Sequence, residues 1–359
     1  MNLKNRRQNL LRQLDEREIE GVFISQPENR YYLSGFDGSA GYLLITHKDI
    51  VLATDFRYLE QGKIQAPQCQ IFKIEGDIEK WFPGLLSGLD LRQLGFEAGH
   101  TSFFLYRKLS SALTKAKLPL GLTPVEGLVE DLRAVKEAEE IESISRASAI
   151  SDAAFEYAET IICPGMTEQE LAWEIEKFMR ERGSQAIPFD IIVASGPNAA
   201  LPHAKPSPRQ LTPGEPVVID IGAKVAGYSS DLTRTICLGT QDETFGRVYD
   251  IVLGAQMAAV ATTGEGMTGG EADMVARTVI EEAGYKEAFG HGLGHGVGLS
   301  PHEAPRLGPN SAGKLANGMV FTIEPGIYLA GWGGVRIEDT AVMENGRIRV
   351  ISQSRKVRG

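Results

Sequence analysis

The chain has 359 residues, 42% hydrophobic and 23% charged, with 37 Lys/Arg against 47 Asp/Glu and a net charge of −10. That composition fits a folded globular protein of about two domains at ~150 residues each, and excludes a disordered tail or a collagen-like repeat. The acidic balance argues against a nucleic-acid partner, and no apolar run approaches the ~20 residues of a membrane span.

The first residues, MNLKNRRQNLLRQLDERE, are charged throughout and lack the apolar core of a signal peptide. Cys69, Cys163 and Cys237 are too few and too scattered for a disulfide framework or a CxxC metal site. A cytoplasmic protein is expected, with no membrane or nucleic-acid partner.

The opening segment reads as mixed α/β. Leu3, Leu10, Leu11, Leu14 and Ile19 form a helical stripe, and strands are expected at 21–25, 42–46 and 50–54. A helix fits 102–114. Near Gly127 the texture changes to a long helical pattern through Ile141, Ile144, Ala147, Ala154, Ala158 and Ile161, stopping at Pro164-Gly165. The expected domains are therefore 1–130 and 131–359. Residues 1–130 hold 16 basic and 16 acidic side chains; the rest hold 21 against 31, so the whole deficit lies in the second domain.

That second domain contains a weak internal repeat. GMTEQELAWEIEKFMRERG (165–183) aligns without gaps to GMTGGEADMVARTVIEEAG (266–284), with six of 19 positions identical. Each copy opens with a Thr-x-x-Glu capping box, Thr167/Glu170 and Thr268/Glu271. LTPGEPVVIDIG (211–222) then aligns to LANGMVFTIEPG (315–326), which puts Asp220 on Glu324. Two matches in the same order imply duplicated halves about a pseudo-twofold axis, each a helix leading into a strand with one acid.

The acids carry the chemistry. In PVVIDIGAKVAGYSSDLTRTICL, a turn centred on Val225-Ala226 would set Asp220 opposite Asp231, with Cβ atoms ~5 Å apart. Core-like neighbours leave little water to screen them, so either one acid takes a proton or a cation sits between them. Glu324 ends the strand MVFTIE. Glu338 lies in the expected strand VRIEDTAVM, on the same face as Arg336 and Thr340.

His291, His295 and His302 cluster in GHGLGHGVGLSPHEAP. Gly292, Gly294 and Gly296 would each cost a helix ~1 kcal/mol, so this is a loop or extended strand and not a helical zinc site. A lone histidine is usually structural; three in one glycine-rich stretch point to a site. Four carboxylates balance two divalent ions, and oxygen donors with one imidazole suit Mn²⁺, Co²⁺, Fe²⁺ or Zn²⁺. Two such ions ~3.5–4 Å apart lower the pKa of shared water and polarise a carbonyl. GPNSAGKL lacks the Ser/Thr of a phosphate-binding loop, and PHEAPR is not HExxH, since Arg306 stands at its fifth position and Pro305 breaks a helix.

In order, DIGAKVAGYSSDLTRT, HGLGHGVGL, PHEAP, EPG and VRIED resemble the pita-bread metallopeptidases, most closely the Xaa-Pro dipeptidase and Xaa-Pro aminopeptidase family. SQPENRYYLSGF (25–36) and LRAVKEAEEI (132–141) extend the likeness to nearly the whole chain. The resemblance implies an α+β, two-domain α/β fold, with a creatinase/prolidase-like N-terminal domain and a pseudo-twofold pita-bread catalytic domain. By motif, Asp220, Asp231, His295, Glu324 and Glu338 match the metal ligands, Asp231 and Glu338 as the bridging pair; no ligand is replaced, as it is in creatinase. His203 matches a substrate-side histidine and His302 one that contacts the scissile carbonyl. His291 matches a residue of the proline pocket and Arg336 a residue supporting the site.

The implied activity is hydrolysis of the Xaa-Pro bond in dipeptides or short peptides, with Glu324 moving the proton to the leaving nitrogen. Two divalent ions, Mn²⁺ first, and a homodimer are implied with it. Alternatives are an Xaa-Pro aminopeptidase acting on longer peptides, a methionine aminopeptidase-like enzyme, a creatine hydrolase and a non-catalytic binding module.

Overall fold

The computed structural model describes residues 2–356. The chain divides into two compact units, Met1–Arg133 and Ala134–Gly359. The first is built on a six-stranded sheet of β1 (Gly21–Ile24), β2 (Tyr42–Thr46), β3 (Ile50–Thr54), β4 (Gln70–Lys73), β5 (Gln93–Glu97) and β6 (Gly121–Val125), in the order β4-β3-β2-β1-β5-β6. β1, β5 and β6 run parallel, as do β3 and β4; β2 is antiparallel to both its neighbours.

Helix α1 (Leu3–Glu16) is capped by the Asn2 side chain and buries Leu10 and Leu14. Ile19 lies beyond it, past a turn in which Glu18 takes φ 56°. The β1 strand ends one residue before the expected Ser25, because the Ser25 N–H and hydroxyl turn to donate to the Glu97 carboxylate at 2.6 and 3.0 Å. α2 (Pro27–Ser34) and α3 (Leu59–Gln65) follow β1 and β3. α4 (Ile78–Leu85) and α5 (Phe103–Lys115, capped by Ser102) set Trp81, Phe82, Leu109 and Leu113 against Phe23, Leu44, Ala53 and Leu94 of the sheet. Short α6 (Glu130–Ala134) leads into the second unit.

The second unit has two related halves. In one, α7 (Ala138–Ile161) and α8 (Glu168–Glu181) cover a sheet of β7 (Ile192–Ser195), β8 (Pro216–Ile221) and β11 (Leu232–Cys237). In the other, α9 (Glu243–Thr262) and α10 (Gly269–Glu282) pack on a sheet of order β13-β12-β14-β17-β18. Its strands are β12 (Gly294–Gly296), β13 (Glu303–Leu307), β14 (Val320–Ile323), β17 (Asp339–Glu344) and β18 (Arg347–Val350). Two small ribbons complete the unit: β9 (Lys224–Val225) with β10 (Tyr228–Ser229), and β15 (Gly326–Leu329) with β16 (Gly333–Arg336).

Both expected capping boxes form, Thr167 with Glu170 and Thr268 with Glu271. Strand alternation then decides where the acids point. Val217, Ile219 and Ile221 of β8 face the helices, so Asp220 faces away; Phe321 and Ile323 of β14 face their helices, and Glu324 follows on the other side. Among the described residues, no helix is long and apolar enough to cross a membrane.

The hairpin register differs from the sequence expectation. Asp220 is opposite Thr233, and Val225 is opposite Tyr228, so the turn centres on Ala226-Gly227. Both turn residues have positive φ, 50° and 83°, as a type I′ hairpin requires. Asp231 therefore sits two positions from facing Asp220. A slip of two residues preserves the face, so both aspartates still point the same way. The expected strand through Glu338 is in fact two, β16 and β17, broken at Ile337-Glu338, where the Glu338 N–H donates to Thr233 O of the other half at 3.0 Å.

Candidate metal centre and catalytic cleft

A cleft of about 640 Å³ opens in the second unit on the side of the sheets away from the helices, and all nine candidate residues line it: His203, Asp220, Asp231, His291, His295, His302, Glu324, Arg336 and Glu338. Asp220 and Asp231 come from the first half, Glu324 and Glu338 from the second. β12 brings His295 to them as extended chain with a bulge at His295/Gly296. A Cβ on Gly294 would collide with Thr322 O, and one on Gly296 with Ala304 O, so only glycine lets β12 lie this close to its neighbours.

Asp231, His295 and Glu338 each present one ligand atom, all within 4.8 Å of one another. His295 Nε2 lies 3.7 Å from Asp231 Oδ2 and 3.3 Å from Glu324 Oε1. Arg336 donates from a terminal guanidinium nitrogen to Asp220 Oδ2 at 2.6 Å and from Nε to Thr233 Oγ1 at 3.1 Å. Tyr328 OH joins Arg336, at 3.0 Å, to His291 Nε2, at 2.9 Å. The His302 ring lies 4.1 Å from that of His295. His203 is exposed at the cleft wall.

Electrostatics set these acids apart. Burial, reinforced by the negative charges of Glu338, Asp220 and Glu324, holds Asp231 well above the usual carboxylate range. Burial, with Glu324 and Asp220, does the same to Glu338. Asp220 is raised by burial against the pull of Arg336. At Glu324, burial is outweighed by the hydrogen bond and charge of His295, which bring it down to about 2. His295 is raised in turn: burial disfavours its charge, but Glu324 more than offsets this. His302 is lowered by burial and by His295.

This donor set fits divalent cations. Asp220, Asp231, Glu324 and Glu338 lie together in the cleft, where Arg336 is hydrogen-bonded to Asp220, and Asp220 Oδ1 is buried with no hydrogen-bond partner, which a divalent cation held there would satisfy. Asp220, Asp231, His295, Glu324 and Glu338 would hold the ions. Thr233, Thr322 and Tyr328 escaped the sequence reading. Thr322 Oγ1 accepts the His295 N–H and donates to Glu324 Oε1, both at 3.0 Å. The threonines were findable, since each lies two residues from an acid and so on its face; Tyr328 has no such signal.

Residues 142–345 match the model of metallopeptidase family M24, and residues 6–135 that of the creatinase/prolidase N-terminal domain. The chain is similar to a Xaa-Pro dipeptidase of Pyrococcus furiosus, 37% identical over 99% of this chain and 100% of the relative. Among solved structures it resembles a Xaa-Pro dipeptidase from Bacillus anthracis, with a TM-score of 0.95, 40% identity and 99% of each chain covered. It also resembles an X-Pro aminopeptidase from Thermotoga maritima, with a TM-score of 0.90, 35% identity and 98% of each chain covered.

Proposed function

The chain belongs to metallopeptidase family M24, and on that premise we propose that it is a Xaa-Pro dipeptidase, hydrolysing the bond between a first residue and a following proline. The observation that carries this reading is the meeting of Asp231, His295 and Glu338 within 4.8 Å in a cleft that also holds His203, His291 and His302. Likeness over the full length, first unit included, to proteins named as Xaa-Pro dipeptidases supports the substrate.

Two divalent ions, when bound, supply an activated water and polarise the scissile carbonyl. The chain's own residues do the rest. His302 reaches the carbonyl oxygen from the rim and steadies the charge that develops there. Its lowered pKa keeps its ring neutral at neutral pH, so it donates one N–H. Glu324, at the end of β14 and beside His295 in the cleft, is the group we assign to move the proton to the prolyl nitrogen. His291, held by Tyr328, walls the proline side, and Arg336 fixes Asp220. Lys205 and Arg306 are exposed cations of the lining, suited to the free carboxylate of a dipeptide.

Mn²⁺ is the ion we assign, because hard oxygen donors with one imidazole suit it. A cytoplasmic homodimer completes the proposal. The free thiols of Cys69, Cys163 and Cys237 suit a reducing compartment, and the dimer comes from the family resemblance.

A second reading, an Xaa-Pro aminopeptidase taking longer peptides, is supported by the likeness to the Thermotoga maritima protein and by a groove that shares Phe189, Asp190 and Lys205 with the cleft. Assaying Ala-Pro, Ala-Pro-Ala and Met-Ala side by side, with Mn²⁺ and after chelation, tests the proposal. Preferred, metal-dependent cleavage of Ala-Pro is expected. Preference for the tripeptide favours the second reading, and preference for Met-Ala or full activity without metal rejects both.

A further inference from the structure

Glu303 follows His302 and opens β13, where its backbone is held opposite Gly296. Its side chain takes no part in the ligand set, yet it is only 6% exposed and its Oε1 lies 3.0 Å from Lys136 Nζ, itself 1% exposed. Its second oxygen accepts the Ser300 N–H at 3.2 Å. The carboxylate lies against Gly298, where a Cβ would collide with it, and Gly298 N–H donates to Ser300 O at 3.1 Å. Lys136 is anchored independently: its N–H donates to Gly318 O at 2.9 Å and its Nζ to Ala134 O at 3.1 Å. His302 thus leaves a loop whose two ends are fixed through Glu303 to a lysine outside the cleft.

A buried ion pair is a poor source of stability, because removing two charges from water offsets most of their attraction, and apolar residues of similar size often serve as well. We propose that Lys136 and Glu303 are positioning residues, which hold the His302 backbone so that its ring meets the scissile carbonyl beside His295. The proposal rests on the role given to His302 above. It also gives the glutamate of the HExxH lookalike a structural purpose at the site.

The test compares the wild-type enzyme, Lys136→Arg, and the neutral pair Lys136→Met/Glu303→Leu. Lys136→Met/Glu303→Gln, which retains an acceptor for Ser300, replaces the neutral pair if that pair does not fold. The neutral variant is expected to keep its melting temperature, Mn²⁺ stoichiometry and KM for Ala-Pro, while kcat falls by up to about 10²-fold, the scale of a ~1 Å misplacement. Lys136→Arg should restore most of kcat. In ¹H–¹³C spectra the His302 ring signal, identified by its loss in His302→Ala, should broaden or split in the neutral variant. Unchanged kcat with a single sharp His302 signal overturns the inference. If the wild-type enzyme cleaves no Xaa-Pro bond, the functional reading fails on its own; the His302 signal then decides, and an unchanged signal overturns the positioning role.

Discussion

Thr233 donates its hydroxyl hydrogen to Glu338 Oε2 at 2.5 Å, and Thr340 donates its own to Asp231 O at 2.7 Å. Each threonine lies two residues beyond an acid of one half and binds the acid of the other, so the duplicated strands lock crosswise over the cleft. Hydrogen bonds from outside the ligand set orient the ligands and set their basicity. Thr233→Val, which keeps shape and loses the hydroxyl, should weaken Mn²⁺ binding by about 10–100-fold in calorimetric titration. Thr233→Ser should restore most of it. Equal affinity in the valine variant would mean Glu338 is held by other contacts.

Glu324→Gln removes the proposed proton carrier with little change in shape. The expected loss in kcat is about 10²–10⁴-fold, as for general acid–base groups, with the fold retained by circular dichroism. A loss in KM alone would move the proton-transfer role elsewhere.

The metal-free protein should lose stability as pH rises from 5 to 8. Asp231 and Glu338 have raised pKa values in the fold, so the folded state binds more protons than the unfolded chain above the usual carboxylate range. Their stabilising contribution is present below that range and fades as pH rises towards the folded values. His295, also raised, contributes below about 6.5 and loses this above its folded pKa. Glu324, at about 2, acts oppositely, but its contribution disappears only on going from about 4.5 down towards 2. Melting curves of chelated protein should shift down with pH, and Mn²⁺ should flatten that shift by competing with the protons. A flat metal-free profile would contradict the repulsion among these acids.

The twin capping boxes give a stability prediction away from the cleft. Thr268→Ala removes the acceptor for the Glu271 N–H at the start of α10 and should cost about 0.5–2 kcal/mol in denaturant unfolding. Thr167→Ala should behave alike at α8, since the boxes are built identically.

Much of this architecture was legible because it is periodic or repeated. The capping boxes mark α8 and α10, and the alignment of Asp220 with Glu324 follows β8 and β14, whose alternation points both acids away from the helices. The hairpin register was misread because Ala226 supplies the positive φ usually announced by Asn or Gly. The error moved Asp231 by two residues and left its face unchanged. The break at Ile337-Glu338 left no trace in the sequence, since the bond that causes it, to Thr233 O, comes from 105 residues away in the chain. Tyr328 was missed because its partners meet it only through the fold: Arg336 lies eight residues away on the other strand of the β15–β16 ribbon, and His291 lies 37 residues back along the chain.

Diffraction from Mn²⁺-soaked crystals, collected at the manganese absorption edge, tests the central claim most directly. Two anomalous peaks among Asp220, Asp231, His295, Glu324 and Glu338, with Asp231 and Glu338 contacting both, are predicted. A cleft without anomalous density, with the carboxylates turned apart, would contradict it.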